Sequence, residues 1–188
     1  MSDQMVRETR KGQEKMEDLK KLIREVPDWP RKGVLFYDLT TLIKDRTGFH
    51  QVIEEFANHY AARELDLIVG IEARGFIFGS ALAYRLGTGF VPVRKLNKLP
   101  ATTTSVTYDL EYGSDSLEIH SDAIQPGNRV LIVDDLLATG GTACACLQLL
   151  RDLQAFIAGV GVVVELEFLA GRSRLNGVEV FSLLKYQQ

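Results

Sequence analysis

Two periods of apolar residues organise this chain. Met16, Leu19, Leu22, Ile23 and Val26 recur at helical spacing, which predicts a helix ending before Pro27. Phe49, Val52, Ile53, Phe56 and Tyr60 mark a second amphipathic helix. Between them DWPRKG reads as a loop and VLFYDL as a short strand or extended segment. Further on, short apolar runs predict buried strands at 67–71, 90–93, 130–133 and 160–166, with a last strand near 178–183. Helical spacing fills 75–86 and 142–153. Residues 97–107 read as a mobile polar loop, and 106–110 with 116–119 alternate as a hairpin turning at Gly113. The first dozen residues, MSDQMVRETRKG, are polar and read as frayed. Alternating strand and helix units predict an α/β fold, a mainly parallel sheet flanked by helices on both faces. In such sheets ligands bind at the carboxyl ends of the strands.

Composition bounds the reading without sharpening it. The 188 residues suffice for one domain with a full core, 1–188. A net charge of −3 leaves no nucleic-acid footprint. Neither a signal peptide nor a transmembrane run stands out, which predicts a soluble, cytoplasmic protein with no membrane partner. Cys144 and Cys146, two residues apart in a predicted helix, face different directions and read as small buried residues rather than a metal pair or disulfide. His50, His59 and His120 belong to no ligand or triad pattern.

Candidate chemistry concentrates in 130–142, VLIVDDLLATGGT. A short buried-strand run, Val130 to Val133, is followed by Asp134 and Asp135 and then by the tight turn Ala138, Thr139, Gly140, Gly141 and Thr142, after which helical spacing begins. Unpaired N–H groups at the helix start form an anion cradle, and glycine lets the backbone approach a phosphate closely. Carboxylates beside such a cradle repel phosphate unless the ligand also carries hydroxyls or a divalent cation. The segment therefore asks for a sugar phosphate with Mg²⁺. It is neither a Walker A loop nor a dinucleotide loop. A bare glycine pair is equally an ordinary turn of an α/β protein; two aspartates and two threonines tip the reading toward a ligand site.

VLIVDDLLATGGT resembles the 5-phosphoribosyl-1-pyrophosphate (PRPP) signature of type I phosphoribosyltransferases. Five further blocks narrow the resemblance to the adenine-using branch of that family: VPDWPRKGVLFYDLTTLIKD, GIEARGFIFGSALAYRLG, VPVRKLNKLP, YDLEYGSDSLEIHSDAIQPG and FSLLKY. The similarity spans about residues 16–186. It implies the type I phosphoribosyltransferase fold with a flexible hood loop and hairpin at 97–119. It also implies a homodimer, small-molecule substrates, and Mg²⁺ held mainly by PRPP and water with no protein metal ligand. The reaction implied is PRPP plus adenine giving AMP and pyrophosphate, for purine salvage.

The resemblance also implies roles for single residues. Asp134 and Asp135 would orient the ribose hydroxyls, and the 138–142 turn would hold the 5′-phosphate. Ala73 and Arg74 would bind the pyrophosphate, often through a non-proline cis peptide at Ala73-Arg74, with Arg94, Lys95 and Lys98 beside them. A guanidinium suits that role because it holds phosphate oxygens bidentately; taken alone, Arg74 reads rather as a surface arginine in a turn, and the signature beside it tips the reading to pyrophosphate. Glu111 in the hood would handle the purine proton, and Tyr112 would contact PRPP or simply pack. Phe36 would stack on adenine, Leu166 would cover its opposite face, and Leu35 would line the base pocket. On the residues alone Phe36 is as readily core. Many relatives carry Arg or Gln where this chain has Tyr37.

One argument on the base is independent of the resemblance. A 6-oxopurine needs a donor for O6, typically a lysine near the late core strand, and 160–169 holds no cation. Two rivals remain: a phosphoribosyltransferase for another base, and a catalytically silent PRPP-sensing regulator. The retained Glu111, Arg94, Lys95 and Lys98, with no basic DNA-binding segment, favour the enzyme.

Overall fold

The structure is a computed structural model that describes residues 12, 14–109 and 114–187. The chain divides into two compact units, 1–54 and 55–188.

In the first unit helix α1 spans 14–21, strand β1 Arg24–Pro27, β2 Leu35–Asp38 and α2 Thr40–Lys44, and α3 Arg46–Tyr60 begins. The first helix stops well short of Pro27, contrary to its apolar spacing. Residues 24–27 instead form a hairpin strand paired antiparallel with β2, Arg24 opposite Asp38 and Pro27 opposite Leu35. Pro27 disfavours helical backbone at Val26, and a β-branched residue fits a strand. Thr41 ties the reversal, accepting the Arg24 N–H at 3.1 Å and donating to Leu22 O at 2.6 Å. The connecting loop holds a cis Trp29–Pro30 bond and Gly33 at φ +86°. Asp28 Oδ1 closes it by accepting the Gly33 N–H at 2.7 Å.

The second unit is built on a seven-stranded sheet in the order β5-β6-β4-β3-β7-β8-β9. The strands are β3 Leu67–Ile71, β4 Gly89–Lys95, β5 Thr103–Asp109, β6 Ser114–His120, β7 Arg129–Leu137, β8 Phe156–Leu166 and β9 Val180–Tyr186. The five strands from β4 to β9 run parallel, and the β5–β6 hairpin adds antiparallel to β4. Helices α4 Arg74–Leu86 and α5 Gly141–Asp152 cover opposite faces. Alternation along β3 demonstrates this. Ile68 and Gly70 meet Gly79 of α4, whereas Val69 and Ile71 join the core with Ala145, Cys146, Leu149 and Leu150 of α5. On β8, Gly161 leaves room for Phe56 and Tyr60 from the end of α3, while Val160 and Val162 face α5. Among the described residues no helix is long and apolar enough to cross a membrane.

The expected parallel sheet flanked by helices is therefore present, with three differences. Residues 103–107 belong to strand β5 rather than to a loop. Threonine is β-branched and suits the edge of a sheet, and Thr107 pairs across the ladder with Ser116, hydroxyl to hydroxyl at 2.9 Å. Second, β7 continues to Leu137, so both signature aspartates lie within a strand. Third, two short 3₁₀ turns, Glu167–Leu169 and Gly171–Arg174, follow β8. The tip of the hairpin at Gly113 lies outside the described residues.

Candidate active site

Strands β3 and β7 are parallel neighbours whose chains leave in opposite directions. From β3 the chain passes through α4 to β4 on one side; from β7 it passes through α5 to β8 on the other. The crevice at the carboxyl ends of such a diverging pair is where open α/β sheets receive ligands. Both candidate turns, 72–75 and 138–142, open there.

The turn after β7 forms a small hollow of about 90 Å³ lined by Asp134, 136–143 and Val162. Gly140 adopts φ +81° and precedes the first residue of α5, whose leading N–H groups have no acceptor within the helix. The backbone here is braced from behind. A Cβ on Gly140 would lie 2.6 Å from Gly171 O, and one on Gly171 would lie 2.1 Å from Ala138 O. Arg174 Nη1 also donates to Thr139 O at 3.3 Å. The hollow offers backbone donors and two hydroxyls to a phosphate-sized anion.

Glu72 ends the β3 ladder by donating its N–H to Val93 O at 2.9 Å, and the chain reverses directly after it. The non-proline cis bond accordingly lies at Glu72–Ala73, one peptide before the Ala73–Arg74 bond expected. Gly75 then packs against β7 so closely that a Cβ would sit 2.8 Å from Val133 O and 2.9 Å from Asp134 Oδ1. This contact brings Arg74 onto Asp135, whose Oδ2 accepts from Nε. Asp135 is 6% exposed, and its N–H donates to Asp134 Oδ1 at 2.8 Å. Burial first, and the neighbouring Asp135 charge second, push the Asp134 carboxyl above its ordinary range.

Arg94 and Lys95 are also paired. Arg94 grips Glu72 with two nitrogens, Nη2 to Oε1 at 2.9 Å and Nε to Oε2 at 3.1 Å, and the Lys95 N–H adds a third bond at 2.9 Å. The Arg94 bond foremost holds the Glu72 carboxyl below its usual range. Lys95 Nζ meets Asp115 and donates to Tyr108 OH at 3.3 Å, which lies 3.3 Å from Thr142 Oγ1. The hairpin thus touches the 138–142 hollow. Lys98 contributes its backbone, its N–H bonding buried Glu118 at 2.8 Å and its carbonyl accepting from Arg94 at 3.1 Å.

Of the residues singled out in the sequence, Ala73, Arg74, Asp134, Asp135 and 138–142 converge on one crevice, with Arg94 and Lys95 reaching it through Glu72 and Tyr108. Leu166 closes β8 and is 7% exposed. Leu35 and Phe36 belong to the first unit, where Phe36 stands edge-on to Trp29 at 4.4 Å. Tyr37 is a core residue, 2% exposed. Glu111 and Tyr112 lie outside the described residues. Four contributors escaped the sequence reading: Gly171, Arg174, Tyr108 and Asp115. Gly171 opens the second 3₁₀ turn after β8, but its partner Ala138 is far away in sequence and no local pattern links them.

Known proteins share this fold. The family profile of the phosphoribosyl transferase domain matches residues 42–183. An adenine phosphoribosyltransferase from Solibacter usitatus is 62% identical over 92% of this chain and 100% of its own length. The chain belongs to the adenine phosphoribosyltransferase family. It is accordingly a transferase. Among solved members of the family, the crystal structure from Thermoanaerobacter pseudethanolicus has 53% identity and a TM-score of 0.88, covering 91% of this chain and 99% of that one. The Saccharomyces cerevisiae member, solved with an imino-altritol bisphosphate and adenine, has 43% identity and a TM-score of 0.87, covering 92% and 99%.

Proposed function

We propose that the crevice between β3 and β7 holds PRPP while the chain transfers its 5-phosphoribosyl group to adenine, releasing AMP and pyrophosphate. The observation that supports this most directly is the seating of the 72–75 turn against Asp134 and Asp135, beside the 138–142 hollow. An anion cradle, a carboxylate pair and a guanidinium on one crevice match the three parts of PRPP: phosphate, ribose diol and diphosphate.

In this reading the 138–142 turn takes the 5′-phosphate, with Thr139 and Thr142 adding hydroxyl donors. Asp134 and Asp135 accept from the ribose hydroxyls. When the diphosphate arrives, Arg74 exchanges its pairing with Asp135 for the diphosphate, which frees that carboxylate for the sugar. Arg94, Lys95 and Lys98 add positive charge as the leaving group departs from an oxocarbenium-like ribose. Catalysis is then mainly positioning and electrostatic stabilisation of the leaving group. Leu35, Phe36 and Leu166 are assigned to adenine and Glu111 to the purine proton. Hard carboxylate oxygens beside the cradle suit Mg²⁺, which would be held chiefly by PRPP and water within reach of Asp134 and Asp135 and would neutralise diphosphate charge. We further assign the 97–119 segment to a hood over a single catalytic domain, and take the enzyme to be a cytoplasmic homodimer.

The test is pyrophosphate release from PRPP and Mg²⁺ with adenine, hypoxanthine, guanine, xanthine and orotate in turn. Turnover with adenine alone is expected. Turnover with another base would keep the PRPP crevice and overturn the base assignment. PRPP binding without turnover on any base would make the chain a sensor.

A further inference from the structure

The end of the sheet beside the crevice holds an ion pair, its carboxylate buried and its guanidinium partly exposed, with no part in the chemistry above. Glu165, 3% exposed, is the penultimate residue of β8. Arg172, in the second 3₁₀ turn, grips it with two nitrogens, Nε to Oε1 at 2.9 Å and Nη2 to Oε2 at 2.5 Å. The same guanidinium donates to Val180 O and to Ser182 Oγ, both at 2.6 Å, and Ser182 donates in turn to Glu165. All four contacts lie on β8 or β9, so Arg172 fastens the 3₁₀ turn to two adjacent strands. Removing a charge from water is costly unless every group is paired, and here each is.

The residue immediately before Arg172 is Gly171, whose backbone lies against Ala138 and Gly140. We propose that Arg172 and Glu165 are positioning residues that hold Gly171 as the back wall of the phosphate hollow. The pair never touches the ligand; it sets how far the 138–140 backbone can retreat from it. The Gly171 contact is rigid backbone on both sides, so displacement of the 3₁₀ turn passes directly into the cradle. The inference rests on the reading that the 138–142 turn takes the 5′-phosphate.

The test uses the full chain, with ribose 5-phosphate as calorimetric probe and steady-state kinetics alongside. The double variant Glu165→Gln/Arg172→Met removes both charges together, so that no unpaired buried ion remains to unfold the protein. Its Kd for ribose 5-phosphate and its KM for PRPP should rise about tenfold with kcat within about twofold, the pattern of a ligand-binding geometry displaced by a fraction of an ångström. Arg172→Lys should show the same split, because a point charge cannot span the carboxylate, the carbonyl and the hydroxyl at once; it also provides the measurement if the double variant does not fold. Lys185→Ala, which removes only the outer pair with Glu167, should leave all three quantities unchanged. Thr142→Val tests the underlying reading separately. If it leaves ribose 5-phosphate affinity untouched, the phosphate assignment falls and the inference with it. If it weakens binding while the Arg172 variants keep wild-type Kd and KM, or lose kcat alone, the positioning role is overturned.

Discussion

Replacing Gly140 with alanine probes the phosphate hollow and the stability of the fold in one experiment. Gly140 sits at φ +81°, a conformation that costs an L-residue about 1–2 kcal/mol. The added Cβ would also lie 2.6 Å from Gly171 O and 3.2 Å from Gly171 C. That neighbour is backbone, fixed by the Arg172 grip, so relief requires the turn itself to shift by several tenths of an ångström. Overpacking of this kind costs about 1–3 kcal/mol. The two effects together come to about 2–5 kcal/mol, which for a chain of this size lowers the melting temperature by roughly 5–15 °C. Because the shift moves the cradle N–H groups, KM for PRPP should rise by about one to two orders of magnitude. Thermal denaturation and initial rates of pyrophosphate release at varied PRPP measure both. A Gly140→Ala protein melting within about 2 °C of wild type with unchanged KM would refute the argument that the turn is clamped between two backbones.

Three further outcomes are expected. Asp135→Asn removes the charge that pairs with Arg74 and that is assigned to the ribose hydroxyls; kcat/KM should fall roughly 10- to 100-fold with the fold retained by circular dichroism, and unchanged kinetics would cancel the ribose assignment. Glu111→Ala should lower kcat/KM by about 10²-fold with a native melting curve, and a wild-type rate would remove Glu111 from the base chemistry. Glu72 is held below its ordinary value of 4.5, so the stability it contributes is present above that value and lost as pH falls through the lowered one. The melting temperature of the wild type should therefore drop on acidification below about pH 4.5 more steeply than that of Glu72→Gln, which starts lower at neutral pH; parallel curves would show that the Arg94 contact is energetically silent.

Much of this protein is visible in the amino-acid order. The strands 67–71 and 130–133 are short apolar runs because both their faces are buried, and α3 and α4 carry their apolar residues at helical spacing. The signature turn is legible because its residues are contiguous and each answers a local demand: glycine for positive φ, threonine for hydroxyls, aspartate for acceptors. Where the reading failed, a contact distant in sequence had outweighed local preference. Leu22, Ile23 and Val26 continue a helical pattern, but Pro27 and pairing with β2 draw Arg24–Pro27 into a strand. Residues 103–107 look like a solvated loop until β6 supplies a partner for their backbone.

The crevice shows the same division. Sequence alone determined which groups are available: the cradle, the two aspartates, Arg74 and the cations of 94–98. Only the tertiary structure decided how they meet. It sets Gly75 against Asp134, pairs Arg74 with Asp135, engages Arg94 on Glu72, and places Gly171 behind Gly140. A turn's conformation follows from neighbouring residues, whose sterics act along the chain. A pairing between side chains tens of residues apart follows from sheet order and packing, which no local pattern of residues records.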